Sequence, residues 1–131
     1  MTARSKADLY IFALLFLFII IVLQLVNSFV FNYCDYSINQ QLFFGLVGNN
    51  LLASIVAIPI FIVLLYLYLK KYLGAETVLI LAGLSSNLID RGFYFGVLDY
   101  FSVFSIPKFN LADIFIVSGC LIIVYKNLRA I

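Results

Sequence analysis

Three aspartates, Asp90, Asp99 and Asp113, stand within 24 positions of one another in a chain of 131 residues that has six acidic residues and no histidine. Two carboxyl groups held close cannot both ionise easily, so one keeps a proton while the other stays charged. The charged one can take a proton from an attacking water, and the protonated one can give its proton to a developing oxyanion or a leaving amine. That is the chemistry of peptide hydrolysis. The same acids also suit an ion or proton carrier, and residue types alone leave both open. Polar companions sit beside them. Asn87, Asp90 and Arg91 are spaced i, i+3, i+4, which predicts one helical face with Asn87 in reach of both others. They read as part of a site, or as a hydrogen-bonded helix end wetted at an interface. Asn110 and Asp113, at i, i+3, read as part of a site or as the polar start of a helix with Asn110 as its cap.

The absence of histidine removes the commonest metal ligand and the usual neutral-pH base, and Cys34 and Cys120 fit no zinc spacing. No metal and no cofactor are expected. A net charge of +2 is too small to suggest nucleic acid as a partner. With 66% hydrophobic and only 11% charged residues, and a mean hydropathy of +1.17, the chain belongs in lipid, because a soluble domain needs a polar skin. If each crossing takes roughly 20 residues, four crossings leave only short loops and no room for a soluble catalytic domain.

The elements that must position these residues follow from the apolar runs. The run from Leu9 to Val26 exceeds a signal peptide's apolar core and no small-residue cleavage site follows it, so it reads as a retained helix. A second run, Leu51–Leu69, contains Pro59 and ends at Lys70 and Lys71. A third runs from Thr77 and turns polar toward Asp90, and a fourth runs from Leu111 to Tyr125. The expectation is an all-α integral membrane protein: one domain over residues 1–131, with four transmembrane helices at about 9–30, 50–69, 76–91 and 111–125 and a small extracytoplasmic loop or β region. Six of the eight basic residues, Arg4, Lys6, Lys70, Lys71, Lys126 and Arg129, fall on one side, which puts both termini in the cytoplasm. Asp35, Asp90, Asp99 and Asp113 then lie on the other side. A carrier needs acids spread through the bilayer, whereas these gather toward one face, which favours a surface-facing site.

Three words in the second half of the chain carry a resemblance: Asn87-x-x-Asp90-Arg91, Val97-x-Asp99-Tyr100 and Phe109-Asn110-x-Ala112-Asp113. Together they resemble the signature of lipoprotein signal peptidase, also called signal peptidase II, a four-helix aspartic endopeptidase of bacterial membranes. That family's third helix ends Gly-Gly-Ala-x-Gly-Asn-x-x-Asp-Arg, and the stretch from Ala82 to Arg91 keeps Gly83, Asn87, Asp90 and Arg91. An earlier family motif, Asn-x-Gly-x-x-Phe-Gly, is echoed from Asn39 to Phe44 and Gly45 without its middle glycine. The resemblance implies that Asp99 and Asp113 are the catalytic aspartates and that Asn39, Asn87, Asp90, Arg91 and Asn110 shape the site or bind substrate. It implies a prolipoprotein substrate bearing a diacylglyceryl-cysteine, cut just before that cysteine, with membrane lipids as further partners. It also implies a multi-pass bacterial inner-membrane location and an extracytoplasmic active site, and the expected state is a monomer. The alternatives are a catalytically inactive homologue and a small membrane carrier.

The chain departs from the family in helix one, where the usual Asp-Gln-x-x-Lys is replaced by Leu23-Gln24-Leu-Val-Asn27. With that motif lost, Leu23 and Asn27 are expected to accept apolar substitutions. Cys34 in the outer loop and Cys120 well into helix four are expected not to pair. The aromatic stretch from Phe29 to Phe44 reads as a lip over the site or as an interface anchor.

Overall fold

The computed structural model describes residues 4–41 and 48–131. Four helices form where the apolar runs predict them: α1 (Lys6–Tyr33), α2 (Asn50–Leu69), α3 (Thr77–Tyr94) and α4 (Leu111–Arg129). Each start but one is set by a side-chain cap. Ser5 accepts from Asp8 N–H at 3.1 Å, and Asn49 accepts from Leu52 N–H at 2.8 Å. Asn110 and Asp113 form a reciprocal capping box at the start of α4. The end of α3 is Phe95 in the left-handed conformation, φ 59°.

Helix α3 is enclosed by α1, α2 and α4. Eleven of its 18 residues are buried, whereas α1 and α2 bury three each. Large apolar side chains such as Leu14, Ile62 and Leu121 therefore point away from the bundle. In lipid that exposure carries no hydrophobic cost, and the helical backbone bonds within itself. α1, α2 and α4 are long and apolar enough to cross a membrane. The expected helix at 76–91 is present as α3, but it is not among those three, because its far end carries Asn87, Asp90 and Arg91. A helix whose neighbours shield it from lipid can bear such a polar end.

Glycines set how closely α3 and α4 approach. A methyl group at Gly83 would sit 2.6 Å from Ile116 Cγ1 and 2.7 Å from the Ala112 carbonyl oxygen, and one at Gly119 would sit 2.5 Å from Ile80 Cγ1. At one end of the bundle, Arg4 donates to the carbonyls of Tyr68, at 3.0 Å, and Leu73, and Lys126 pairs with Glu76 at 2.7 Å. Arg4 just ahead of α1, the α2–α3 turn and the last turns of α4 thus meet at that end. At the other end are two small antiparallel sheets: β1 (Ser37–Asn39) with β2 (Val97–Asp99), and β3 (Phe101–Val103) with β4 (Ile106–Phe109). Of the stretch read as a lip, Phe29–Tyr33 belong to α1 and Ser37–Asn39 form β1, while residues 42–44 lie outside the described residues, as does Gly45 of the motif echo. Cys34 and Cys120 are both exposed and free.

Candidate active site

Asp99 ends β2 and is 2% exposed. Its position depends on a long-range pairing: β1 and β2 run antiparallel with Ser37 opposite Asp99 and Asn39 opposite Val97. Residues 39 and 99 are therefore diagonal neighbours on one face of the ladder, within side-chain reach. The Asn39 amide donates to Asp99 Oδ2 at 3.1 Å. The other oxygen, Oδ1, is buried with no hydrogen-bond partner among the described residues. Burial pushes the Asp99 carboxyl far above its ordinary value, the charges of Asp113 and Asp90 add to the rise, and the Asn39 hydrogen bond and Arg91 oppose it. The outcome is about 7.

Asp113 lies in the first turn of α4, and both its oxygens are engaged. Oδ2 accepts from the Asn110 backbone N–H at 3.0 Å, and Oδ1 accepts from the Asn87 amide at 3.3 Å. Asn110 is fully buried, and its amide nitrogen donates to Asn87 Oδ1 at 3.1 Å and to the Leu98 carbonyl at 3.2 Å. The cap reading of Asn110 holds, and the residue that starts the helix also ties α3 and β2 to Asp113. Asp99 and Asp113 line one cavity of about 220 Å³, together with Asn39, Asn87, Arg91 and Lys108. Its apolar walls include Ala57 of α2, Leu84 of α3 and Ile116 of α4.

The helix that carries Asn87, Asp90 and Arg91 does not present them as one hydrogen-bonded group. At 100° per residue Asp90 and Arg91 diverge to either side of Asn87, and each finds a different neighbour. Asn87 turns to α4. Asp90, fully buried, accepts from Gln24 at 3.1 Å and from Asn27 at 3.0 and 2.8 Å, both on α1, and from the Leu98 N–H at 3.4 Å. Arg91 turns to α2 and the preceding loop, donating to Asn50 Oδ1 at 3.1 Å and to the Gln41 carbonyl at 2.8 Å. The alternative of a wetted interface gives way: Asp90 and Arg91 are buried inside the bundle, Asp90 held by α1 and Arg91 by Asn50 of α2 and the Gln41 carbonyl.

The helix-one positions expected to be tolerant both lie in a buried setting. Leu23 and Asn27 are 1% and 3% exposed. Asn27 spans both oxygens of the buried Asp90 carboxyl, and an apolar side chain there would leave that group only Gln24 and the 3.4 Å bond from the Leu98 N–H. Besides these α1 residues, sequence reasoning missed Gln41, Asn50 and Lys108. Asn49-Asn50 at the head of an apolar run was a visible cap signal, but the reach of Asn50 to Arg91 had none.

Residues 17–129 match a family profile described as signal peptidase (SPase) II. The chain is 32% identical over 114 residues to the lipoprotein signal peptidase of Clostridium novyi (strain NT), which covers 79% of this chain and 75% of that protein. It is 40% identical over 73 residues to the lipoprotein signal peptidase of Chlamydia felis (strain Fe/C-56), covering 49% of this chain and 44% of that one. Two solved structures described as a bacterial membrane enzyme, obtained by the in meso method at 2.3 and 1.9 Å, superpose with TM-scores of 0.83 and 0.79. Each covers 98% of this chain, and 93% and 98% of the solved chains respectively, at 21% identity, where the likeness is one of fold.

Proposed function

This chain belongs to the signal peptidase II family, and we propose that Asp99 and Asp113 are the carboxyl pair with which it removes signal peptides from prolipoproteins. The observation that carries the assignment is that both carboxyls line one cavity, one with both oxygens held by donors and the other with a buried oxygen left unpartnered. Asp113, accepting at both oxygens, is fitted to be the charged member that takes a proton from water. Asp99, whose carboxyl retains a proton up to about pH 7, is fitted to donate from its free oxygen to the scissile carbonyl as the oxyanion develops. Asn87 and Asn110 fix Asp113 against the β2 backbone, and Asn39 fixes Asp99, so neither carboxyl must reorganise as charge moves.

The substrate in this reading carries a diacylglyceryl-cysteine, and cleavage falls just before it. The apolar cavity walls from α2, α3 and α4 suit the signal helix, and the lipid chains remain in the surrounding bilayer. All four helices cross the membrane in this proposal, α3 included: its 18 residues span about 27 Å at 1.5 Å each, close to the hydrocarbon thickness. The end that gathers Arg4, Lys70, Lys71, Lys126 and Arg129 is assigned to the cytoplasm and the β-sheet end with the cavity to the outer face of the bacterial inner membrane, with the protein acting as a monomer. A reporter enzyme fused after Arg129 is expected to be active only when it works in the cytoplasm, and activity only outside would reverse the orientation.

The assay for the activity itself is prolipoprotein mobility in a bacterial strain depleted of its own signal peptidase II. Expression of this chain should convert the precursor band to the mature one. Precursor that persists while the protein is fully inserted would refute the assignment.

A further inference from the structure

Helices α1, α3 and α4 and strand β2 are tied together through the backbone of Leu98. The Leu98 residue, fully buried, donates its N–H to Asp90 Oδ2 at 3.4 Å and accepts at its carbonyl from Asn110 Nδ2 at 3.2 Å. It immediately precedes Asp99, and Asn110 reaches Asp113 through Asn87 and through the capping box. On the other side of Asp90 stands α1, where Asn27 grips both carboxyl oxygens and Gln24 bridges Asp90 Oδ1 to Ser86 Oγ at 2.9 Å. Nothing in the chemistry proposed above uses Asn27, Gln24 or Asp90.

We infer that Asn27, assisted by Gln24, is a positioning residue for the reaction: it fixes the Asp90 carboxyl, which holds the Leu98 peptide and through it sets the place of Asp99 relative to Asp113. The inference rests on Asp99 and Asp113 being the reacting pair. Its physical basis is that a buried carboxylate keeps its place only while its acceptor sites are filled. Removing Asn27 leaves Asp90 with Gln24 and a long bond to Leu98, so the carboxyl is free to turn and the β2 backbone loses a fixed anchor. A shift of about 1 Å at the reacting atoms is enough for roughly a hundredfold loss of rate. Substrate binding along the apolar walls is untouched, so the loss belongs in kcat rather than KM.

The test uses the full-length protein in lipid bilayers with a prolipoprotein bearing a diacylglyceryl-cysteine. Asn27→Leu is expected to lower kcat by roughly 10- to 100-fold per folded molecule with KM within about twofold. Asn27→Lys, whose ammonium also donates to the Asp90 carboxylate, is expected to recover most of that loss. If Asn27→Leu does not accumulate, Asn27→Ser serves, because its hydroxyl is too short to span both Asp90 oxygens and carries one donor instead of two. A kcat per folded molecule that stays at the parent value in these variants, or that falls equally for Leu and Lys, overturns the inference. Asp99→Asn runs beside them: if it is inactive while Asn27→Leu is fully active, only the positioning role fails, and if it is active, the reacting pair fails and the relay with it.

Discussion

Asp99→Asn and Asp113→Asn are each expected to reduce prolipoprotein processing to background, a loss of about 10⁴-fold or more on the scale set by other catalytic groups that act as a unit. Both changes are nearly isosteric. An asparagine at 113 still accepts from the Asn110 N–H, so α4 keeps its capped start, although its NH2 then faces the Asn87 amide and that 3.3 Å bond is given up; one at 99 still accepts from the Asn39 amide through its own carbonyl. What each removes is the ability to exchange a proton, so the amount of membrane-inserted protein should be unchanged. The double variant should be no worse than either single one, because once the shared proton is gone the second carboxyl has nothing to do. The unsubstituted protein should in turn lose activity as pH rises through about 7, where the proton held by Asp99 departs and the donor to the oxyanion is lost. The direction follows from the sign of the shift, since a carboxyl raised from its ordinary range is protonated below its folded value and charged above it. Full processing by either single variant, in cells with no other signal peptidase II, would remove the pair from the mechanism.

The elements were legible because lipid imposes long uninterrupted apolar runs, and those runs have ends. The expected helix at 50–69 is α2 to the residue, and 76–91 and 111–125 fall within three or four residues of the ends of α3 and α4. Asp99 and Asp113 were legible as a pair through motif resemblance alone, since their separation of 14 positions has no helical or strand periodicity to announce a meeting. The cross-chain bonds were not legible. Asn39 reaches Asp99 across 60 positions and Asn27 reaches Asp90 across 63, and both depend on how α1 leans on α3 and where the chain turns back as β1. The loss of the usual helix-one motif suggested tolerance there because a motif is read by residue type. The structure shows that an amide at position 27 supplies what matters physically, a donor to a buried carboxyl. The spacing of Asn87, Asp90 and Arg91 gave a helical face but not the partners, for a related reason. Helical proximity predicts contact on a solvated surface, but on a helix enclosed by three others each polar side chain is claimed by the nearest neighbour.

Gly83→Leu is expected to be as damaging as loss of a catalytic carboxyl, although Gly83 takes part in no chemistry. The α3–α4 contact at this point is backbone against side-chain stem: a first carbon placed on Gly83 already meets the Ala112 carbonyl oxygen at 2.7 Å, and a carbonyl in the first turn of α4 cannot move aside as a flexible side chain can. Four residues along α3, one helical turn away, Asn87 donates to Asp113 at 3.3 Å, a bond with little slack. Wedging the helices apart at Gly83 therefore lifts Asp113 away from Asn87 and, with it, from Asp99. Even Gly83→Ala should cost about 1–3 kcal/mol of packing and lower processing by roughly tenfold or more, with Leu removing it altogether. Insertion should survive, because α1, α2 and α4 carry the apolar length that commits the chain to the bilayer. Membrane-fraction blots together with precursor-to-mature ratios separate the two effects. Normal processing by an inserted Gly83→Leu protein would mean that α4 can shift without moving Asp113, and the close approach of these helices would no longer explain how the pair is held.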